Sequence, residues 1–331
     1  MRRVSVLATG GTIATRTDAS GTAVARATGA DLVGALTCRS DIEVAVDDVF
    51  RVGGYLMTLE RMGELALRAA EHLRDPDLAG LVVTHGTDTT EETAYFLDLL
   101  VDDPRPVVLT GAQRPADAPD SDGPRNLSDA VTVAASPAAR DLGALVVFGG
   151  SVFAARGTRK AHTVAADTFT SPSGGPLGWV RGDDVRLALR PRRWPVLDLA
   201  ALDLAGVRVD IAACYPGADA TALRAFAAAG ARGIVLEATG AGNANEAICA
   251  AVADLTRAGV VVALSTRVSA GPVAALYGGG GGTDLVAAGA VPTGVLRPPQ
   301  ARILLAVLLA TLGRSRDPGA VRESLAAYST G

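Results

Sequence analysis

The chain has 331 residues, of which 49% are hydrophobic and 20% charged, and its formal net charge is −4. This balance describes a folded globular protein and excludes a disordered one, and the acidic excess argues against a nucleic-acid binder. The length exceeds what one hydrophobic core usually organises, so two domains are expected.

In chain order, Val4 to Ala8 reads as a strand, followed at once by Thr9-Gly10-Gly11-Thr12-Ile13-Ala14. Two adjacent glycines permit a tight turn and close backbone approach to a ligand. Thr12 is presented just past the strand end. Thr15 to Gly29, rich in Thr, Ala and Gly, reads as a mobile surface loop. A short helix over Asp31 to Leu36, a strand over Ile42 to Val46 and a helix over Leu59 to Leu73 are expected next. Leu81-Val82-Val83 reads as a buried parallel strand. It leads into Thr84-His85-Gly86-Thr87-Asp88-Thr89-Thr90-Glu91-Glu92. Thr89 and Glu92 have capping-box spacing, which predicts a helix beginning near Asp88 or Thr89 and running to Leu100. Thr87 and Asp88 then lie where a strand meets a helix N-terminus, the usual ligand-binding edge of an open α/β sheet. Strands over Val107 to Leu109 and Gly143 to Phe148 and a helix over Asn126 to Ala135 complete this half.

Lys160, in Gly157-Thr158-Arg159-Lys160-Ala161-His162-Thr163, is the only lysine in the chain. Arginine stays charged, whereas a partly buried lysine can give up its proton and serve as a base. An Arg/Pro-rich stretch then opens the expected connection at 190–206. Beyond it the α/β pattern resumes. Strands are expected at Val207 to Ala212, Gly233 to Glu237 and Gly259 to Leu264, and helices at Ala220 to Ala229, Glu246 to Arg257 and Arg302 to Leu312. The expected fold is therefore α/β with two domains. A larger N-terminal, flavodoxin-like parallel-sheet domain spans 1–189, and a smaller Rossmann-like domain spans 207–331. Thr239-Gly240-Ala241-Gly242-Asn243-Ala244-Asn245 lacks the third glycine of a dinucleotide fingerprint. Neither the three histidines nor Cys38, Cys214 and Cys249 have metal-ligand spacing. No cofactor or metal is expected. His85 is read as structural, the thiols as reduced, and the chain as cytoplasmic because no signal-peptide core precedes the first strand.

The two Gly-Thr elements, with Val107-Val108-Leu109-Thr110-Gly111-Ala112-Gln113-Arg114 and Asp122-Gly123-Pro124-Arg125-Asn126, resemble the bacterial-type L-asparaginase family. Its signatures are a TGGTIA segment and an HGTDT segment, and in order and spacing the resemblance covers essentially the whole chain. It implies hydrolysis of the side-chain amide of L-asparagine to L-aspartate and ammonia through covalent catalysis. Thr12 is the implied nucleophile, assisted by Thr87, Asp88 and Lys160. Gly11, Gly54, Tyr55, Gly86, Ala112 and Asn245 are the implied substrate contacts, with Asn243 second to Asn245. The family is usually a homotetramer with sites at subunit boundaries, so a homo-oligomer is expected, with a small-molecule amide as the only other partner and neither nucleic acid nor membrane.

The chain departs from the family pattern in three places. The loop tyrosine is replaced near Val24 and Ala25. Gly54 stands where a serine holds the substrate carboxylate. Gly278 to Gly282 stands where some members carry an acidic residue. These departures keep three alternatives open: a related amidase acting on another carboxamide (glutamine, a substituted asparagine or a specialised metabolite), an ammonia-supplying amidotransferase subunit, and a non-catalytic relative of the fold.

Overall fold

The structure is a computed structural model that describes residues 1–17, 23–34, 36, 41–312 and 317–330. The chain divides into two compact units, Met1–Val196 and Leu197–Gly331. Residues 190–196 of the expected connection belong to the first.

The first unit opens with β1 (Arg2–Gly10), a single 3-10 turn (Thr12–Ala14) and a small antiparallel hairpin of β2 (Thr15–Thr17) and β3 (Ala23–Ala25). Part of the segment expected to be a loop is thus paired strand; its tip, 18–22, lies outside the described residues, as does Cys38. Then come α1 (Gly29–Gly34), β4 (Ile42–Val52), α2 (Leu59–His72), β5 (Leu78–Thr84), α3 (Thr90–Leu100), β6 (Val107–Thr110), α4 (Gly123–Ala134) and β7 (Ala144–Phe148). The remaining strands are β8 (Ser151–Ala154), β9 (Arg159–Lys160), β10 (Phe169–Thr170), β11 (Gly178–Arg181) and β12 (Asp184–Leu187).

The main sheet runs β12-β11-β8-β7-β6-β5-β1-β4. It is parallel from β4 to β7 and antiparallel beyond. Apolar runs such as Leu81-Val82-Val83 are fully buried because helices cover both faces of the parallel part. β1 lies between β4 and β5, so the chain leaves it on opposite sides and the strand order reverses there. The crevice at the C-terminal ends of β1 and β5 is the topological switch point, where open α/β sheets bind ligands.

Local chemistry sets the helix starts. The Thr58 side chain accepts from Arg61 N (3.3 Å) and caps α2. α4 carries Pro124 in its first turn, where no amide donor is needed. The expected capping box at α3 does not form. Thr89 is the residue before the helix, but its hydroxyl donates to Gly54 O (2.7 Å) instead of the helix backbone. A tertiary acceptor has outcompeted the local one.

The second unit has a four-stranded, all-parallel sheet, β13 (Val209–Ala213), β14 (Gly233–Ala238), β15 (Val261–Thr266) and β16 (Val291–Pro292). Its helices are α5 (Thr221–Ala228), α6 (Glu246–Arg257), α7 (Gly282–Ala287), α8 (Pro298–Leu312) and α9 (Pro318–Ser329). α8 is apolar on nearly every side and buried, packing on β13, β14 and β15. Burial pushes the Cys214 thiol up to about 11, so it behaves as an inert apolar side chain. Among the described residues no helix is long and apolar enough to cross a membrane, and no cluster of His, Cys, Asp and Glu could hold a metal ion.

Candidate active site

Three strand ends meet at the switch point. Gly10 (φ +102°) and Gly11 (φ +79°) take left-handed backbone conformations that turn the chain from β1 into the 3-10 turn begun by Thr12. Gly11 N donates to Val52 O (2.9 Å), which ties this turn to the end of β4. A Cβ on Gly11 would stand 2.4 Å from Gly86 N, and one on Gly54 would stand 2.7 Å from Gly86 O. The backbones of Gly11, Gly54 and Gly86 therefore touch, which no side chain would permit. This contact brings the half-buried Thr12 and the buried Thr87, each one residue further on, to the same crevice.

Lys160 reaches this crevice from β9. Its Nζ donates to Thr87 Oγ1 (2.8 Å) and to Asp88 Oδ1 (2.8 Å). Its side chain is 17% exposed and that of Asp88 55%. The lysine is thus largely enclosed while the carboxylate faces solvent, with Oδ2 available to an incoming cation. The Lys160 backbone N–H donates to Glu91 Oε2 (2.6 Å). Burial raises the Glu91 carboxyl above the usual carboxylate range, offset in part by that bond and by Arg159.

His85 is the structural residue its position suggests. Burial lowers its imidazole to about 4, against the opposing effect of the Gly86 carbonyl. It is neutral at neutral pH, with Nδ1 on Gly86 O (2.8 Å) and Nε2 on Thr93 Oγ1 (2.9 Å). The ring fixes the carbonyl of Gly86 and hence the turn that carries Thr87.

The remaining expected substrate contacts behave differently. Ala112 is fully buried at the end of β6 with its methyl in the core, so only its backbone can face the crevice. The Cβ position of Gly54 is occupied by the Gly86 backbone, so a hydroxyl does not fit there in this arrangement. Tyr55 is 75% exposed, and its ring folds over Gly53, so it does not fill the space left by a serine. Asn245 lies in the second unit as the cap of α6. Its Oδ1 accepts from Ile248 N (3.0 Å) and its Nδ2 donates to Ala218 O (2.7 Å), so both ends of the amide already serve the fold. Asn243 Oδ1 likewise accepts from Gly282 N (3.1 Å).

Sequence reasoning gave no role to Gln113 or Glu91. Gln113 Oε1 accepts from the Thr87 hydroxyl (3.0 Å). The available signal was position: Gln113 closely follows β6, the neighbour of the strand that ends at Thr87. Glu91 was visible only as a first-turn acid of α3.

Comparison with known proteins points to one family. Residues 3–193 match the family model "Asparaginase, N-terminal", and residues 208–324 match "Glutaminase/Asparaginase C-terminal domain". The chain is 39% identical to a probable L-asparaginase of Deinococcus radiodurans, with 95% of each chain covered. It is 33% identical to L-asparaginase 2 of Escherichia coli, covering 98% of this chain and 93% of that one. It is 34% identical to a glutaminase-asparaginase of Pseudomonas fluorescens biotype A, covering 82% and 77%. The crystal structure of a probable cytoplasmic L-asparaginase from Campylobacter jejuni superposes with a TM-score of 0.86 at 30% identity, covering 98% of this chain and 99% of that one. With both halves matched in order, and with a threonine–lysine cluster at the switch point of the sheet, the chain belongs to the asparaginase family of amidohydrolases.

Proposed function

We propose that the enzyme hydrolyses the side-chain amide of L-asparagine to L-aspartate and ammonia, with Thr12 as nucleophile. The observation that carries this reading is the hydrogen-bonded set Thr87–Lys160–Asp88, built at the crevice to which the Gly11–Gly86 contact brings Thr12. Thr12 Oγ1 adds to the amide carbon, and its proton passes by way of the Thr87 hydroxyl to the neutral Lys160 amine. Backbone N–H groups of the two glycine turns stabilise the negative oxygen. The C–N bond then breaks, the proton returns to the departing nitrogen, and ammonia leaves an ester on Thr12. Water, deprotonated by the same amine, adds to the ester. Its collapse frees the aspartate carboxylate and restores the Thr12 hydroxyl. Asp88 Oδ2 accepts from the substrate ammonium, since Oδ1 is held by Lys160.

A second reading, hydrolysis of a different carboxamide, is favoured by one feature. At Gly54 the space a serine would need is filled by Gly86, so this position offers no side-chain hydroxyl to a substrate carboxylate. The family relationship supports a homotetramer, which light scattering of the purified protein tests, and the likeness to a probable cytoplasmic L-asparaginase supports a cytoplasmic location.

Ammonia release from L-asparagine, L-glutamine and D-asparagine tests the chemistry. We expect release from L-asparagine, with Thr12→Ala and Lys160→Arg each lower by about 10³-fold or more. Release from L-glutamine in preference selects the second reading. A fully active Lys160→Arg protein removes lysine from the mechanism, and no release from any amide by the folded parent overturns the proposal.

A further inference from the structure

We propose that Gln113 is a positioning residue that sets the direction of the hydrogen-bond chain through Thr87 and ties it to the turn that follows Lys160. The inference rests on reading Thr87 and Lys160 as the pair that handles the proton.

In the resting, ammonium form of Lys160, counting donors and acceptors fixes the chain. An ammonium has only donors, so Lys160 Nζ must give a hydrogen to Thr87 Oγ1 at 2.8 Å. The single hydroxyl hydrogen of Thr87 is then directed to Gln113 Oε1 at 3.0 Å. The amide cannot be turned over. Gln113 Nε2 donates to Thr163 O (3.3 Å) and Ala165 O (3.2 Å), and an exchanged amide would set its oxygen against these two carbonyls.

Both ends of Gln113 are anchored. Asp122 accepts from its backbone N–H (3.1 Å) and from that of Arg114 (2.9 Å), and is itself held by Asn126 Nδ2 (3.2 Å). On the other side, His162 Nδ1 accepts from Val164 N (3.1 Å) and Ala165 N (2.9 Å), closing the turn whose carbonyls meet Gln113. The chain therefore runs from Lys160 through Thr87 and Gln113 to the backbone of 163–165, which returns to Lys160 by way of β9.

This direction matters for the reaction. In the resting arrangement the Thr87 hydrogen points at an amide oxygen that cannot take a proton. For the proton of Thr12 to reach the amine, the hydroxyl must swing from Gln113 to Lys160. Gln113 thus holds the Thr87 oxygen in place and opposes donation from Thr87 to the neutral amine. The other charged groups facing Lys160 are Asp88, ion-paired with it, Glu91, bonded to its backbone, and Arg159, which acts on Glu91; His162 stands two residues further on. The hydrogen bonds that join Asp88 and Glu91 to Lys160 do not pass through Gln113.

Gln113→Met keeps the length of the side chain and removes both ends of the bridge. Thr87 becomes free to donate to the neutral amine, which favours that form. Because the Thr87 oxygen also loses its anchor, we expect kcat to fall on the order of 10-fold with KM within about 2-fold, and the acid limb of the kcat–pH profile to move to lower pH. Gln113→Glu keeps an acceptor for Thr87, sets its second oxygen against the Thr163 and Ala165 carbonyls so that this end of the bridge is lost, and adds a negative charge near Lys160, which favours the ammonium. Its acid limb should move the opposite way, to higher pH. A role confined to packing moves neither limb.

The single lysine supplies a readout that needs no activity. Labelled with 13C at Cε, Lys160 gives one lysine signal, whose pH titration should follow the same two opposite displacements. Titrations that coincide in parent, Gln113→Met and Gln113→Glu overturn the proposal, as does an unmoved acid limb in both variants. If the parent releases no ammonia from any amide, the reading of the reaction fails, while the labelled titration still decides whether Gln113 controls this chain.

Discussion

Gly11, Gly54 and Gly86 leave three different strands, and their backbones meet without a side chain between them. The Gly-Gly pair before Thr12 announces a tight turn from local sequence alone. That Gly54 is bound to the same contact is invisible there, because it depends on where β4 ends relative to β5. Two substitutions follow at this scale. Gly11→Ala combines a left-handed φ with a Cβ 2.4 Å from Gly86 N; it should lower stability by about 2–4 kcal/mol in urea denaturation. Gly54→Ser, the substitution that would restore the family's hydroxyl, meets Gly86 O and should cost about 1–3 kcal/mol. A serine variant of unchanged stability with tighter L-asparagine binding would show that the Gly86 turn yields.

At the scale of elements, α3 shows how tertiary partners redirect local chemistry. The residues of its first turns were legible, and its start near Thr89 follows from sequence. The capping bond did not, since Thr89 serves Gly54 and Thr90 donates to Gly86 O (3.0 Å). His85 joins strand β5 to α3 through Thr93. Its folded-state value, about 4, lies below the ordinary 6.5. The neutral form is favoured in the fold, so its stabilising contribution is complete above about pH 6.5 and is lost as the pH falls from there towards 4. The full loss is about 3 kcal/mol for a shift of this size. Denaturation at pH 7.5 and 5 should show the parent losing more stability than His85→Gln, which has no proton to bind. Equal losses in the two proteins would remove His85 from the acid response.

At the scale of the molecule, each compact unit has its own buried cluster, around residues such as Val82 and Val108 in the first and Leu236 and Val262 in the second. Both tryptophans, Trp179 and Trp194, lie in the first unit. Trp194 is held there by Arg156, whose guanidinium carbon stands 3.9 Å from the ring centroid. Tryptophan fluorescence therefore reports the first unit and circular dichroism reports both. Leu236→Ala should destabilise the second unit by about 2–4 kcal/mol. It should lower the midpoint seen by circular dichroism more than that seen by fluorescence. Identical displacements would mean that the units unfold as one.

The sequence by itself determined the α/β class, the two Gly-Thr turns after strands and the isolation of Lys160 as the only lysine. These are local properties: apolar periodicity, glycine placement and composition act within a few residues. Only the tertiary structure decided the partners. Lys160 and Thr87 are 73 positions apart and Gln113 and Ala165 are 52, so their hydrogen bonds depend on strand order and on where each strand stops. For the same reason Asn245 is spent as a helix cap, and the antiparallel extension of the sheet over β8, β11 and β12 went unread. Short strands carry too little periodicity to declare themselves, and they take their place by pairing with the edge that the longer strands have already built.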